Sequence, residues 1–347
     1  MYETKHYYVS GNTAHGFINL LPTNIERIKK IIVLHHDSHA VKTKIFNQII
    51  AHMKGKSELE IIHSPLETEN KEGIIMRGES VAVIADQLVH SGIRVTKQID
   101  CGDFINIRYD GMNATLRSEE YTKNAADSFK QALKTHDDLE AIYINEMDFA
   151  KADQIAMNVI TKLLRSAPHK NQEATVYHRF FGTTTAAGPK NILAEIIKEI
   201  PHRVYIKGRA GTGKSFFMKK IAAACEENGL TVERYYCSFD PNSIDMVLVP
   251  ELDFCMFDST APHELYPERD GDTIIDLYEH TVTKGTDEKY AANIRDVTQK
   301  YQGFLKEGVR YLKKAEQYQG EIEYQYTGVT DEMIDTITKK VFKHILE

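Results

Sequence analysis

Eight residues in the middle of the chain, Gly208-Arg-Ala-Gly-Thr-Gly-Lys-Ser215, fit the pattern G-x-x-x-x-G-K-[ST] without exception. The residue types suit the holding of phosphate. Gly208, Gly211 and Gly213 let the backbone turn tightly and bring N–H groups up to phosphate oxygens; Arg209, Ala210 and Thr212 complete the loop. A helix that starts near Lys214, with Phe216 in its first turn, aims its positive end at the same place. Lys214 is placed to reach β- and γ-phosphates, and Ser215 to bind Mg²⁺. Asp258 ends an apolar strand, where an acid that holds Mg²⁺ directly or through water is expected. Lys214 and Asp258 are therefore the expected catalytic residues, and Ser215 and Asp258 the expected metal ligands. Asp240 is a third catalytic candidate, able to receive a substrate proton or to order a water. A turn-forming role in Asp240-Pro-Asn-Ser243 is equally open. No glutamate follows Asp258; the next residues are Ser259-Thr-Ala261, so the usual water-activating carboxylate is missing there. Arg209 and Arg269 are candidates for phosphate contact, and His263 lies on the side where such sheets bind ligands.

The elements that must position these residues occur twice. His6-Tyr-Tyr-Val-Ser-Gly-Asn-Thr-Ala-His-Gly16 recurs 172 residues later as His178-Arg-Phe-Phe-Gly-Thr-Thr-Thr-Ala-Ala-Gly188. The register continues without a gap through Asn19/Asn191, Ile25/Ile197, Lys42/Lys214 and Ala51/Ala223. After a short length difference it returns at Glu79/Glu251 and Asp86/Asp258, and it places Leu66 near the counterpart of Asp240. A tandem duplication follows, with halves 1–168 and 172–347 and a linker at Ser166-Ala-Pro-His-Lys-Asn-Gln172. At the register of the glycine loop the first half has His36-Asp-Ser-His-Ala-Val-Lys-Thr43. His36 and Val41 replace the motif glycines, and Asp37 adds negative charge. This half is expected not to bind nucleotide in the ordinary way, and to serve as structural partner, regulatory half or donor of residues to the second site.

In each half an apolar stretch runs into the loop, Ile31–Leu34 and Arg203–Lys207. A helix (Phe216–Asn228, stopped by Gly229), a strand (Thr231–Cys237), a loop and a strand (Asp253–Phe257) follow in the second half. Strand–helix–strand spacing of this kind implies an α/β fold with a mainly parallel sheet flanked by helices. Charged helical regions are expected at Ser118–Lys134 and Asp287–Gln317. Strand-like pieces at Ala141–Asn145 and Glu321–Tyr326 and helices at Ala152–Leu164 and Asp331–Leu346 close the halves. The cations between Glu279 and Lys314 read as a solvated helix pair or as a lid over the phosphates.

Composition removes several classes. A net charge of −7 disfavours nucleic acid as a partner. The four cysteines form no C-x-x-C pair, which suggests neither zinc nor a disulfide framework. No apolar run reaches the ~18 residues of a membrane span, and the N-terminal segment lacks a signal pattern, so a cytoplasmic location is expected.

The whole chain resembles a bacterial family of tandemly duplicated P-loop ATPases. Its N-terminal motif looks like H-x-F-x-G-x-T-x-x-G-F, and its strand-end acid sits in a segment like P-E-L…D-G-T-A-P-H. Here the matching residues are His6–Gly16, His178–Gly188, Pro250-Glu-Leu252 and Asp258-Ser-Thr-Ala-Pro-His263. The resemblance implies two tandem P-loop NTPase-like domains and nucleotide binding, without naming a substrate. Family members often carry an intact first loop, from which His36–Thr43 departs. The cofactors expected are ATP (or GTP) and Mg²⁺. Slow hydrolysis, phosphoryl transfer to a small molecule, and a nucleotide-dependent switch or scaffold with little turnover all remain open, as does a homo-oligomer.

Overall fold

Runs such as Val81-Ala-Val-Ile-Ala85 are apolar on both faces and fully buried, as strands of a sheet covered on two sides must be. The computed structural model describes residues 4–105, 107, 109, 111–165, 167–168, 170 and 172–346. Ser166, His169 and Asn171 of the expected linker, and Met1–Glu3 of the N-terminal segment, lie outside the described residues.

The first half contains β1 (Thr4–Tyr7), β2 (Ser10–Thr13), β3 (Gly16–Asn19), α1 (Leu21–Ile25), β4 (Lys30–His35), α2 (His39–Met53), β5 (Leu59–His63), β6 (Lys71–Met76), β7 (Val81–Ala85), β8 (Lys97–Asp100), α3 (Met112–Ile144) and α4 (Phe149–Leu164). The second contains β9 (Val176–Phe180), β10 (Gly182–Thr185), β11 (Gly188–Asn191), α5 (Leu193–Ile196), β12 (His202–Lys207), α6 (Lys214–Glu227), β13 (Val232–Tyr236), β14 (Ile244–Val249), β15 (Phe254–Asp258), β16 (Thr273–Asp276), α7 (Leu277–Thr281), α8 (Thr286–Lys289), α9 (Ala291–Gln325) and α10 (Asp331–Leu346). The two six-stranded sheets share one topology, β1-β5-β6-β7-β4-β8 and β9-β13-β14-β15-β12-β16. Only β6 and β14 run antiparallel to their neighbours. These mainly parallel, helix-flanked sheets are the α/β architecture that the strand and helix spacing predicts.

Three sequence expectations need correction. The stretch read as loop between Cys237 and Asp253 holds β14, whose apolar run is masked by Asp245 at its second position. The pieces Ala141–Asn145 and Glu321–Tyr326 are not strands but the last turns and caps of α3 and α9. Their β-branched and aromatic residues suggested strands, but tertiary packing overrides that preference. Buried positions in α9 fall at Gly308, Leu312, Ala315, Gln319 and Ile322, alternating steps of four and three, and those in α3 include Ala125, Ser128, Ala132 and Thr135 at the same spacing, with Phe129 beside them. The two helices pair antiparallel along their length: Ser118 Oγ donates to Ala315 O (3.1 Å), and the Phe129 ring lies where a side chain at Gly308 would stand. Of the segment Glu279–Lys314, read as a solvated helix pair or a lid, Ala291–Lys314 belongs to α9, which pairs with α3, and the part before it holds the end of α7 and α8.

The third correction concerns register. Leu34 pairs with Ala85, whereas the equivalent Ile206 pairs with Asp258. Asp258 therefore corresponds to Ala85, not to Asp86, and is present in one half only. Asn70 N–H donates to Glu67 O (2.9 Å) and Ser243 N–H to Asp240 O (3.0 Å), closing the same turn in both halves. Asp240 therefore corresponds to the acid Glu67 rather than to Leu66.

Helices are exchanged between the halves. Ile334, Ile337, Val341 and Ile345 of α10 are buried with α2 against the first sheet. Ala156 of α4 is buried with α6 against the second sheet. The remaining sheet faces meet in one cluster that draws on both halves, including Val33, Ile84, Tyr205 and Phe257. At the junction Tyr8 and Phe180 exchange backbone hydrogen bonds of 3.0 and 2.8 Å. Beside them Arg179, 1% exposed, donates to Glu60 (3.0 Å), Glu233 (2.7 Å) and Asn24 (2.9 Å) and lies over the Tyr7 ring. Burial works to raise both carboxyls, but Arg179, helped by Arg77 at Glu60 and Lys5 at Glu233, overrides it and holds them below the ordinary range. Among the described residues no helix is long and apolar enough to cross a membrane.

Removing Arg179 would leave two acids buried without their shared cation. Arg179→Ala is expected to cost about 3–5 kcal/mol of unfolding free energy, measured by denaturant titration. An unchanged midpoint would show that the junction does not depend on this charge.

Candidate functional site

The segment Gly208–Gly213 links the end of β12 to the start of α6 beside β15, so the loop, Lys214 and Asp258 meet at one edge of the sheet. Gly211 (φ 75°) and Gly213 (φ 76°) hold left-handed backbone that disfavours side chains. A side chain at Gly208 would collide with Thr212, and one at Gly211 with the backbone of Glu140. Thr212 is buried and ties the loop across itself, Oγ1 donating to Arg209 O (2.8 Å). Lys214 Nζ donates to the same carbonyl (2.8 Å) and stands 3.6 Å from Asp258 Oδ2. Ser215 Oγ accepts Ile244 N–H (2.9 Å), which ties α6 to β14.

Asp258 Oδ1 is fixed by Thr260, through its N–H (3.0 Å) and hydroxyl (2.6 Å). Asp245 on β14 and His263 approach it: one donor atom from each of Asp245, Asp258 and His263 lies within 4.8 Å of the others. Burial, then the charge of Asp258, pushes the Asp245 carboxyl up to about 8. Burial lowers His263, whose ring packs edge-on against Phe181.

The other expected residues are placed less centrally. Asp240 lines the same cleft, but its carboxylate accepts Asn242 N–H (3.0 Å), the turn-forming arrangement. Arg209 is paired with Asp287 (3.0 Å) and stacked over the Tyr278 ring. Arg269 donates to Lys198 O and does not line the cleft. Ala210 and Phe216 line the cleft, Phe216 largely exposed.

The cleft encloses about 1800 Å³ and takes its walls from both halves. The first half lends His136, Glu140, Met147 and Phe149 of α3, α4 and their connection, Glu140 and Met147 lying against the loop; α9 adds Tyr301 and Leu305. The first half therefore does contribute residues to the second half's cleft. Burial, then the charge of Asp137, raises the Glu140 carboxyl, while Lys214 and Gly211 N–H favour its anion. Asp245 and Glu140 were missed in the sequence. A lone acid inside an apolar strand could have revealed Asp245; Glu140 looks like any acid on a charged helix.

The equivalent place in the first half is filled by protein. Glu323 of α9 lies across the start of α2, accepting from Ser38 Oγ (2.5 Å), His39 N–H (2.7 Å) and Ala40 N–H (3.3 Å). Lys42, the counterpart of Lys214, is buried and bonded to Asp86 (2.5 Å) and Gln87 (2.7 Å). Thr43 Oγ1 accepts Lys71 N–H (2.9 Å), as Ser215 accepts Ile244 N–H. Glu72, the counterpart of Asp245, accepts from Ser10 (2.6 Å) and Gln87 (3.4 Å).

Comparison with protein-family models, curated proteins and solved structures found no match to this chain.

Burial pushes the Glu72 carboxyl up to about 7 from an ordinary 4.5. A folded value above the unfolded one means stability present below about pH 4.5 and lost as pH rises to about 7. Glu72→Gln cannot ionise, so its stability relative to wild type is expected to rise across that window and level off above it. Unfolding midpoints at a series of pH values check this; a pH-independent difference would contradict it.

Proposed function

We propose that the chain binds one nucleoside triphosphate with Mg²⁺ in the cleft of the second half and turns it over slowly. The observation that carries this reading is the conjunction at the start of α6. Gly211 and Gly213 hold left-handed backbone, and Lys214, Ser215 and Asp258 line the cleft beside them. A helix N-terminus with free N–H groups favours an anion, and the ammonium of Lys214 adds a mobile positive charge. The bound cation would supply charge neutralisation at the phosphates, with Ser215 and Asp258 the residues able to hold it. The family resemblance of the sequence supports the same assignment.

Glu140 takes the role that the segment after Asp258 leaves open. Its carboxyl is partly buried in the cleft, close enough to Lys214 to feel its charge, and raised above the ordinary range by burial and by Asp137. A base delivered by α3 from the other half of the chain makes turnover depend on how the helices sit. Slow hydrolysis or phosphoryl transfer follows from this arrangement, with no nucleic acid needed. A second reading, a nucleotide-dependent switch with little turnover, is favoured by one observation: Glu140 O packs on Gly211, so helix α3 touches the loop directly.

Calorimetry with Mg-ATP and Mg-GTP tests the binding: Lys214→Ala is expected to abolish it, and undiminished affinity would overturn the assignment. Glu140→Gln is expected to keep nucleotide affinity and to lose about 10²-fold or more of the hydrolysis rate. Unchanged turnover in that variant would remove Glu140 as base, and no turnover in the parent protein would favour the switch.

A further inference from the structure

The carboxylates beside Lys214 are paired differently from those around Lys42 in the first half. There a cation of the protein itself is already in place: Lys42 Nζ bonds Asp86 at 2.5 Å, and Gln87 bridges to Glu72. In the second half Lys214 has turned to Arg209 O and stands 3.6 Å from Asp258. Asp245, only 8% exposed, and Asp258 thus face each other with only the longer Lys214–Asp258 ion pair of 3.6 Å beside them. His263 completes the group, and its Nε2 is buried with no hydrogen-bond partner. A buried ring nitrogen without a partner is costly unless something occupies it.

We propose that Asp245, Asp258 and His263 form a site for a divalent transition-metal ion, of the manganese or zinc type, in preference to magnesium. The donor set decides the class. Magnesium takes oxygen ligands and keeps its waters, whereas imidazole nitrogen suits zinc, iron and nickel, and manganese, at home with carboxylates, accepts an imidazole beside them. Donors held about 2.1 Å from one ion are separated by about 3–4.3 Å, so a small closure of atoms now within 4.8 Å of one another forms the site. Three protein ligands leave positions open for water or phosphate, as in catalytic rather than structural metal sites. This rests on the nucleotide reading, since Asp258 belongs to both, and replaces the Mg²⁺ of that reading with a transition-metal ion; it is tested without nucleotide.

The test is a titration of the metal-stripped, nucleotide-free full chain with Mn²⁺, following free Mn²⁺ by electron paramagnetic resonance. One ion per chain is expected, with a tenfold excess of Mg²⁺ failing to displace it. His263→Gln is expected to weaken Mn²⁺ at least tenfold, and Asp245→Asn likewise, with thermal unfolding recorded to show that both variants remain folded. Equal affinity for Mg²⁺ and Mn²⁺, an unaltered Mn²⁺ affinity in folded His263→Gln, or no stoichiometric binding to the parent protein would each overturn the site. Lys214→Ala separates the two assignments: it is expected to keep Mn²⁺. A parent protein that holds Mn²⁺ but no nucleotide would refute the nucleotide reading alone.

Discussion

A helix that begins where a buried parallel strand ends points several unpaired N–H groups at one spot, and something negative must answer them. In the first half the answer is covalent to the chain: the Glu323 carboxylate lies on Ser38, His39 and Ala40. With that place taken, glycines lose their use, and His36 and Val41 stand where a bound phosphate would have forbidden them. In the second half the loop keeps left-handed Gly211 and Gly213, and under the proposed function a phosphate would answer its N–H groups, where Glu140 now faces Gly211. The two loops thus meet different acids of the opposite half: Glu323 bonds the start of α2, and Glu140 stands against Gly211.

That insertion is possible because the long helices are exchanged. Helix α9 leaves the second sheet, lines its cleft, and ends with Glu323 on the first half; α3 leaves the first sheet and ends with Glu140 against Gly211. Each loop is therefore covered by the other half. The exchange requires the sheets to be fixed relative to one another. The Tyr8–Phe180 hydrogen bonds and the buried Arg179 between Glu60 and Glu233 provide that fixation. Small residues such as Gly308 and Ala315 let α3 and α9 run close enough to behave as one strut.

The strands Ile31–Leu34 and Arg203–Lys207, the helix from Lys214 and the placing of Asp258 at a strand end were legible in the sequence. Apolar runs and a glycine motif are local signals, and the repeat doubled them. What was not legible depends on partners far along the chain. Glu321–Tyr326 alternates like a strand, yet Ile322 and Tyr326 both face the first-half core because α9 packs there. Asp245 was hidden by interrupting its own apolar strand. The one-residue length difference before β5 and β13 is invisible without the ladders, and it reversed two comparisons: Asp258 is peculiar to its half, while Asp240 has the acidic counterpart Glu67. Glu323 could not have been found, since nothing near it in sequence marks it as the occupant of a loop almost three hundred positions earlier.

The most direct test of one open and one filled loop is the stoichiometry of nucleotide binding, measured by equilibrium dialysis of the full chain against a labelled, non-hydrolysable ATP analogue with divalent cation. One mole per mole of chain is the expected result. Two moles would mean that Glu323 does not close the first half, and none would mean that the glycine loop holds no nucleotide; either contradicts the assignment.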